Sequence, residues 1–331
     1  MNNSLNVLTL FLFNIVLINI PLLYGTVGEI VTEKAGSLNL GVEGTMAVGA
    51  IFGYLAGCTT NSLLVGLVVA FLTAGLCGLL FAVLTVSLQA NQNVTGITVT
   101  TFGLGLYFFV GKGLGDKWPA MVDHSAMVNG FAPLEIPGLK SIPVLGKALF
   151  SHNILVYLGI IIAVAVWWYM TYTKTGLKLR SVGENPGAAD SVGVNILLYK
   201  YVHLILGSGI MGLGGFYMAL NMGGSFEGSN CWINGYGWIA VALVIFANWN
   251  PVLAILGTLV FGFFNTLQIY AGSLAGAFPG ALGWLNAVPP HLFKALPFII
   301  TAVVLIVSSI RAKEGSGQPA ALGVNYFREE R

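Results

Sequence analysis

One run of residues that joins two apolar stretches, from Glu33 to Gly44, holds three charges and three glycines. Glycines interrupt regular helix within this run, and Ser37 or Asn39 can cap a new helix. A helix that begins inside a protein-lined part of a membrane points unpaired N–H groups at a polar solute. Glu43 would lie in its first turn, where the helix dipole favours a carboxylate. The pattern predicts hydrogen bonding to a polar solute, and an ordinary turn with solvated charges is the alternative.

A second polar segment, residues 183–190 (GENPGAAD), carries its own signals for a short helix. Asn185 suits an N-cap, Pro186 suits the first helical position and Gly193 suits a stop. Such a helix would hold its shape outside the membrane and expose small residues for docking into a groove on a partner. The candidate docking residues are Gly183, Glu184, Asn185, Pro186, Ala188, Ala189 and Asp190. A mere connector is the alternative.

A third polar signal is Asn248-Trp249-Asn250-Pro251, which predicts a tight reversal between two apolar runs. A turn with an interfacial tryptophan is the alternative. Isolated residues within apolar segments are further candidates, by chemistry alone, for the lining of a solute path. With two residues of the first segment, this candidate set is Asn39, Glu43, Phe102, Trp238 and Asn265. Lipid or helix contact is the alternative for the isolated members.

The sequence shows no nucleophile–base pair, metal-ligand cluster or phosphate-binding loop. We therefore expect no enzymatic activity, metal or cofactor in this chain, and any ATP chemistry would belong to another subunit. The formal net charge of +2 is too small to suggest nucleic-acid binding.

The candidate residues lie within or between long blocks of the sequence that contain no Asp, Glu, Lys or Arg, and these blocks must hold them in place. The blocks are residues 1–28, 44–111, 148–173, 201–226 and 228–293. Only 8% of the 331 residues are charged, whereas a soluble domain usually carries about 25%. Because a membrane span needs about 20 apolar residues, each block can hold one or more spans.

We therefore expect an all-α, polytopic membrane bundle of about nine (eight to ten) transmembrane helices, with a broken helix near 36–44. The predicted spans are 5–28, 42–58, 62–88, 92–112, 151–173, 201–222, 235–249, 251–272 and 293–311. Residues 1–311 would form a single membrane domain, and 312–331 a polar tail.

Small residues recur at every fourth position in two of these spans. One stripe is Thr45, Gly49, Gly53 and Gly57, and the other is Gly66, Ala70, Ala74 and Gly78. Such stripes let helix backbones approach closely in lipid, so we interpret them as packing seams.

The distribution of Lys and Arg predicts the orientation. Loops 112–147 and 174–200 carry four basic residues each and lie on opposite sides of one span. The tail adds Arg311, Lys313, Arg328 and Arg331 to the side of the 174–200 loop. Since cytoplasmic loops carry the excess of basic residues, the tail and the 174–200 loop would be cytoplasmic and the N-terminus outside.

Three segments in this order resemble the permeases of bacterial ATP-binding cassette (ABC) importers in the branched-chain amino acid, ribose and nucleoside group. They are residues 33–44 (EKAGSLNLGVEG), 183–190 and 244–251 (VIFANWNP). The resemblance runs roughly from residue 20 to residue 310 and is strongest to the nucleoside subgroup, sometimes described as simple-sugar permeases.

The resemblance implies a multi-pass subunit of the bacterial inner (cytoplasmic) membrane. It implies a second related permease as a heterodimer partner, two ATP-binding subunits that bind the ATP, and a separate solute-binding protein or lipoprotein. It also implies that residues 183–190 contact the ATPase and that the helix break borders the translocation path.

The solute expected from the resemblance is a nucleoside. Simple sugars, riboflavin-like compounds and branched-chain amino acids are alternatives within the same mechanism. An ion-coupled secondary transporter would need intramembrane carboxylates or histidines, of which the charge-free blocks offer almost none. A membrane scaffold is the third class, and the structured 183–193 loop argues against it.

Overall fold

The computed structural model of the chain describes residues 2–134, 142, 144–289, 292, 293, 295, 296, 298–300, 302, 303, 306 and 317–327. The α-helices are α1 (Asn2–Lys34), α2 (Val42–Thr60), α3 (Leu63–Ala82), α4 (Gln92–Leu114), α5 (Ser125–Phe131), α6 (Leu145–Phe150), α7 (Ile154–Tyr172), α8 (Lys174–Glu184), α9 (Pro186–Ser191), α10 (Ile196–Asn221), α11 (Tyr236–Phe246), α12 (Pro251–Ala277) and α13 (Pro279–Leu282). Val83–Ser87 extend α3 as a π-helical turn. No β-strand occurs among the described residues, which confirms the all-α fold.

Six helices of the described chain are long and apolar enough to cross a membrane. They are α1, α3 with its π-helical turn, α4, α7, α10 and α12. The predicted spans at 42–58 and 235–249 are helical as α2 and α11 but are not among these six. The predicted span at 293–311 falls largely outside the described residues. A helical membrane bundle is therefore confirmed, while a count of about nine spans stays a prediction.

Glycines and alanines pack α2, α3 and α10 against one another. A Cβ added to Gly53 would lie 2.7 Å from Ala70 Cβ, and one added to Gly49 would lie 2.7 Å from the Gly212 carbonyl oxygen. A Cβ added to Gly78 would lie 2.5 Å from Ser208 Oγ. These approaches confirm that both small-residue stripes are packing seams, and α10 contributes a matching surface of its own.

The chain leaves helical geometry over residues 35–41, between α1 and α2. Gly36 adopts a φ of +78°, a conformation that favours glycine, and the turn returns the chain toward α1. Asn39 N donates to Glu29 Oε1 at 3.0 Å. Residue 39 therefore lies beside α1, more than one helical turn before the end of that helix at Lys34. The break is therefore shorter than the predicted 36–44, because α1 continues to Lys34 and α2 already begins at Val42.

Helix α11 is half the length of a membrane span. Its 11 residues rise about 16 Å, against a hydrocarbon core of about 30 Å. Its first turn lies beside Glu43, and the turn that follows its last residue lies beside Glu33, near the end of α1. Since α11 begins next to the start of α2, two helix N-termini meet within the bundle.

Candidate functional site

The carboxylate of Glu43 joins the start of α2 to the start of α11. Glu43 lies in the first turn of α2, as the sequence predicts, and only 5% of its surface is exposed. Its Oε1 accepts a hydrogen bond from Gly235 N, and its Oε2 accepts one from Gly237 N, each at 2.7 Å. The first N–H groups of a helix lack intrahelical partners, and the N-cap of α11 has no side-chain acceptor of its own. Glu43 therefore satisfies the neighbouring half-helix.

Glu29 and Asn39 hold the helix break against α1. Glu29 is fully buried, and its Oε2 accepts a hydrogen bond from Thr32 Oγ1 at 2.8 Å. Asn39 Oδ1 accepts from Gly41 N at 2.9 Å within the helix break. The prediction that Ser37 or Asn39 caps the new helix is wrong, because Gly41 is the N-cap of α2 and no described side chain bonds the first N–H groups of that helix. The Asn39 Nδ2 group is buried and has no hydrogen-bond partner among the described residues.

The Asn248–Pro251 turn is tied to the end of α1. Asn248 and Trp249 adopt φ values of 50° and 54°, and Asn250 caps α12 by accepting from Val252 N at 2.9 Å. The indole N–H of Trp249 donates to the carboxylate of Glu33. Trp249 is only 8% exposed, so this tryptophan is a buried anchor and not the interfacial residue of the alternative interpretation.

A cavity of about 270 Å³ lies between α1, α11 and α12, beside the middle of α12. Its polar lining consists of Asn19, Asn234, Tyr236, Asn265 and Gln268, and we call it the amide cavity. Asn265 Nδ2 donates to Asn19 Oδ1 at 2.8 Å and to Tyr236 OH at 3.0 Å. Aromatic faces are supplied by Tyr236, Phe261 and Phe298.

The 183–190 segment contains the helix that its sequence predicts. Asn185 Oδ1 accepts from Ala188 N at 3.0 Å, and Pro186 occupies the first turn of α9. Gly193 follows the helix with a φ of +81°. The expectation that the small residues are all exposed is wrong for Ala189, which is buried against Val182, Val194 and Ile196. One residue of α-helix turns the side chain by about 100°, so Ala188 points outward while Ala189 points inward.

Residues 317–327, here named the C-terminal strap, join the 183–190 segment to the helix break. Ala321 N donates to Gly183 O at 3.0 Å, and Gly323 N donates to Gly36 O at 3.3 Å. Tyr326 OH donates to Asp190 Oδ2 at 2.9 Å. The described part of the predicted polar tail is therefore a packed element.

The strap also contacts the turn before α4. Asn325 Nδ2 donates to Gln89 O at 2.8 Å, and Asn325 Oδ1 accepts from Gln92 Nε2 at 2.9 Å. Gln92 Oε1 in turn accepts from Leu38 N at 2.8 Å, inside the helix break. A chain of hydrogen bonds thus runs from residues 183–190 through the strap to residues 36–38.

The sequence of the chain matches a known protein family. Residues 11–305 match the model of the branched-chain amino acid transport system permease component. The chain belongs to this permease family. It is 31% identical over 335 residues to a nucleoside ABC transporter permease protein, NupC, of Lactococcus lactis, covering 99% of this chain and all of the relative.

Two further relatives are similar over nearly the whole permease. A guanosine ABC transporter permease protein, NupQ, of Bacillus subtilis is 33% identical over 328 residues, covering 94% of each chain. A putative glucose ABC transporter permease protein, TsgC13, of Haloferax volcanii is 34% identical over 325 residues, covering 93% of this chain and 94% of the relative. No solved structure matches the permease.

The structure brings some of the predicted path residues of the permease together and separates others. Glu43 contacts the first turn of α11, the turn that contains Trp238. Asn265 lines the amide cavity and bonds Tyr236. Trp238 is 46% exposed on α11, and Phe102 is 50% exposed on α4 and does not line the cavity. The role of these residues in a path stays a prediction.

Several residues of these sites are absent from the predictions made from sequence. Asn19, Tyr236 and Gln268 line the amide cavity, Glu29 anchors the helix break, and the strap anchors the 183–190 segment. A carboxamide within a charge-free apolar block is a signal that could have pointed to Asn19 and Gln268. The large apolar and aromatic residues Leu322, Val324, Tyr326 and Phe327 are a signal that could have pointed to the strap.

Proposed function

We propose that this chain is the membrane permease subunit of an ABC importer that translocates nucleosides by alternating access. The observation that carries the proposal is similarity over nearly the full chain to permeases named for nucleoside and guanosine transport. The helix break and the half-helix α11 support it, because transporters build solute sites where discontinuous helices meet.

The proposed assembly contains partners that supply the energy and the solute. ATP-binding subunits would hydrolyse ATP, a second related permease would complete the path, and a solute-binding protein or lipoprotein would deliver the nucleoside. Residues 183–190 and the strap would face the cytoplasm, with the N-terminus outside. The excess of Lys and Arg on that side supports this orientation.

A simple sugar is the second candidate solute, because the relative from Haloferax volcanii is named for glucose. The two candidates differ in a competition experiment on the complete transporter in whole cells. We expect unlabelled adenosine, guanosine or uridine in large excess to suppress uptake of a labelled nucleoside, while glucose, ribose and leucine leave it unchanged. Transport of labelled glucose that nucleosides do not inhibit would replace the nucleoside proposal with the sugar.

The two alanines of α9 test whether the 183–190 segment docks onto the ATPase. Ala188→Trp places a bulky side chain on the outward face of α9, so we expect normal membrane levels but weak co-purification of the ATPase and low uptake. Ala189→Trp overfills the buried contact with Val182 and Ile196, which should destabilise the protein by roughly 1–3 kcal/mol. Membrane level, melting temperature, ATPase co-purification and uptake are measured on both variants. An Ala188→Trp protein with normal co-purification and uptake would show that this segment is only a connector.

A further inference from the structure

The amide cavity retains hydrogen-bonding groups that the described part of the protein does not use. The side-chain amide of Gln268, which is half-buried, makes no hydrogen bond to any described residue, and neither does that of Asn234, which is exposed at the edge of the cavity. Asn265 uses its two N–H groups on Asn19 and Tyr236, which leaves its Oδ1 as an acceptor. Tyr236 accepts from Asn265, which leaves its own hydroxyl hydrogen as a donor. Polar groups removed from solvent are normally paired, so the unused groups of Asn265 and Gln268, which lie within the bundle, indicate a polar occupant.

The charge of the lining restricts the class of that occupant. None of the described residues that line the cavity is charged. An amino acid zwitterion would bring a carboxylate and an ammonium group there without ionic partners, and burying unpaired charges is costly. A neutral solute with several donors and acceptors avoids this cost.

The shape of the lining adds a preference for a flat ring. Phe261 is almost fully buried at the wall of the cavity, Phe298 is half exposed at its edge, and Tyr236 lies beside Asn265. Aromatic faces attract other flat rings in offset or edge-to-face arrangements. The volume of about 270 Å³ lies just below the usual range for small-molecule sites, roughly 300–1,000 Å³.

We propose that the amide cavity is a binding site for a neutral nucleoside. The base would lie against the aromatic rings of Tyr236, Phe261 and Phe298. The ribose and the edges of the base would form hydrogen bonds with the side chains of Asn234, Asn265 and Gln268. This assignment rests on the proposed function and names the residues that would carry its specificity. Glu43 is a positioning residue for the site, because it fixes Gly235 and Gly237 on either side of Tyr236.

Gln268 gives the cleanest test because its amide has no bonded partner among the described residues. In the complete transporter in proteoliposomes, Gln268→Leu should raise the KM for uridine and guanosine by about tenfold, the equivalent of 1.4 kcal/mol. Membrane level, melting temperature and ATPase association should match the wild type. Asn14→Leu is the control, since it removes a carboxamide on α1 that bonds Tyr270 of α12 at 2.8 Å and does not line the cavity. It should leave the KM unchanged.

A binding readout separates this assignment from the proposed function. Gln268→Cys in a protein lacking Cys58, Cys77 and Cys231 should react with a small thiol reagent, and nucleosides but not leucine should protect it. If the wild-type complex carries no nucleoside, the proposed function fails and this assignment fails with it. If the wild-type complex transports nucleosides, but Gln268→Leu has a normal KM and nucleosides do not protect the cysteine, the proposed function holds. In that case only the assignment of the amide cavity as the binding site is wrong.

Discussion

Replacing Glu43 with alanine is expected to reduce nucleoside uptake by more than tenfold and to lower the melting temperature of the permease. The substitution removes the acceptor for Gly235 N and Gly237 N, and Glu43 lies almost wholly inside the bundle. Each hydrogen bond to a charged group contributes about 1.5–3 kcal/mol, and a buried donor left unpaired adds its own desolvation cost. Because these N–H groups begin α11, the loss also releases Tyr236 from its position at the amide cavity. Uptake and thermal unfolding in detergent measure the two effects.

Two further substitutions identify the cause of that loss. A glutamine at position 43 keeps one acceptor oxygen, so Glu43→Gln should fall between wild type and Glu43→Ala in both measurements. Glu227→Ala removes a carboxylate from an exposed site in the loop before α11 and should leave both measurements unchanged. A Glu43→Ala protein with wild-type stability and uptake would show that α11 does not depend on this carboxylate.

The parts of the site that the sequence predicts correctly depend on local signals. Asn185, Pro186 and Gly193 determine the start and end of α9 within a few residues, so their pattern indicates a helix regardless of the rest of the fold. The placement of Glu43 in a first turn is likewise correct, because α2 begins at the end of the helix break.

The parts that the sequence does not predict depend on partners far away along the chain. Glu43 bonds a residue 194 positions away, and Asn265 bonds one 246 positions away. Nothing near either residue indicates which helix supplies the partner. The exposure of α9 is a related case, because only the packing of α9 on Val182 and Ile196 determines that Ala189 is buried and Ala188 is not.

The C-terminal strap is the clearest failure of prediction from sequence. From sequence we interpret it as part of a polar tail, although it contains Leu322, Val324, Tyr326 and Phe327. Two of its contacts are made by the backbone N–H groups of Ala321 and Gly323. Backbone hydrogen bonds leave no signature in residue type, since every residue except proline can donate them. The strap nevertheless contacts the end of α1, the helix break, the turn before α4 and residues 183–190.

Removing the strap contact at Asn325 is expected to uncouple ATP hydrolysis from transport. Asn325→Leu loses the bonds to Gln89 O, Ala90 O and Gln92 Nε2, each of which contributes roughly 0.5–1.5 kcal/mol. Of the described hydrogen bonds between the strap and this turn, the one from Gln89 Nε2 to Tyr326 O at 3.3 Å would remain. Motion of residues 183–190 would therefore reach Gln92, and through it Leu38 in the helix break, less directly. Since the ATPase would bind the outward face of α9, its co-purification should persist while uptake per ATP hydrolysed falls severalfold.

A matched variant and a deletion determine whether the strap itself transmits the motion. Gln318→Leu makes the same kind of change at an exposed strap residue that bonds no described residue, and it should transport normally. Deletion of residues 317–331 removes every strap contact and should lower the coupling ratio further than Asn325→Leu does. A deletion variant that reaches the membrane and couples normally would assign the strap a packing role alone. A coupling defect in Asn325→Leu without a loss of melting temperature would instead mean that the strap acts on the geometry of residues 183–190, because a merely structural contact would change stability first.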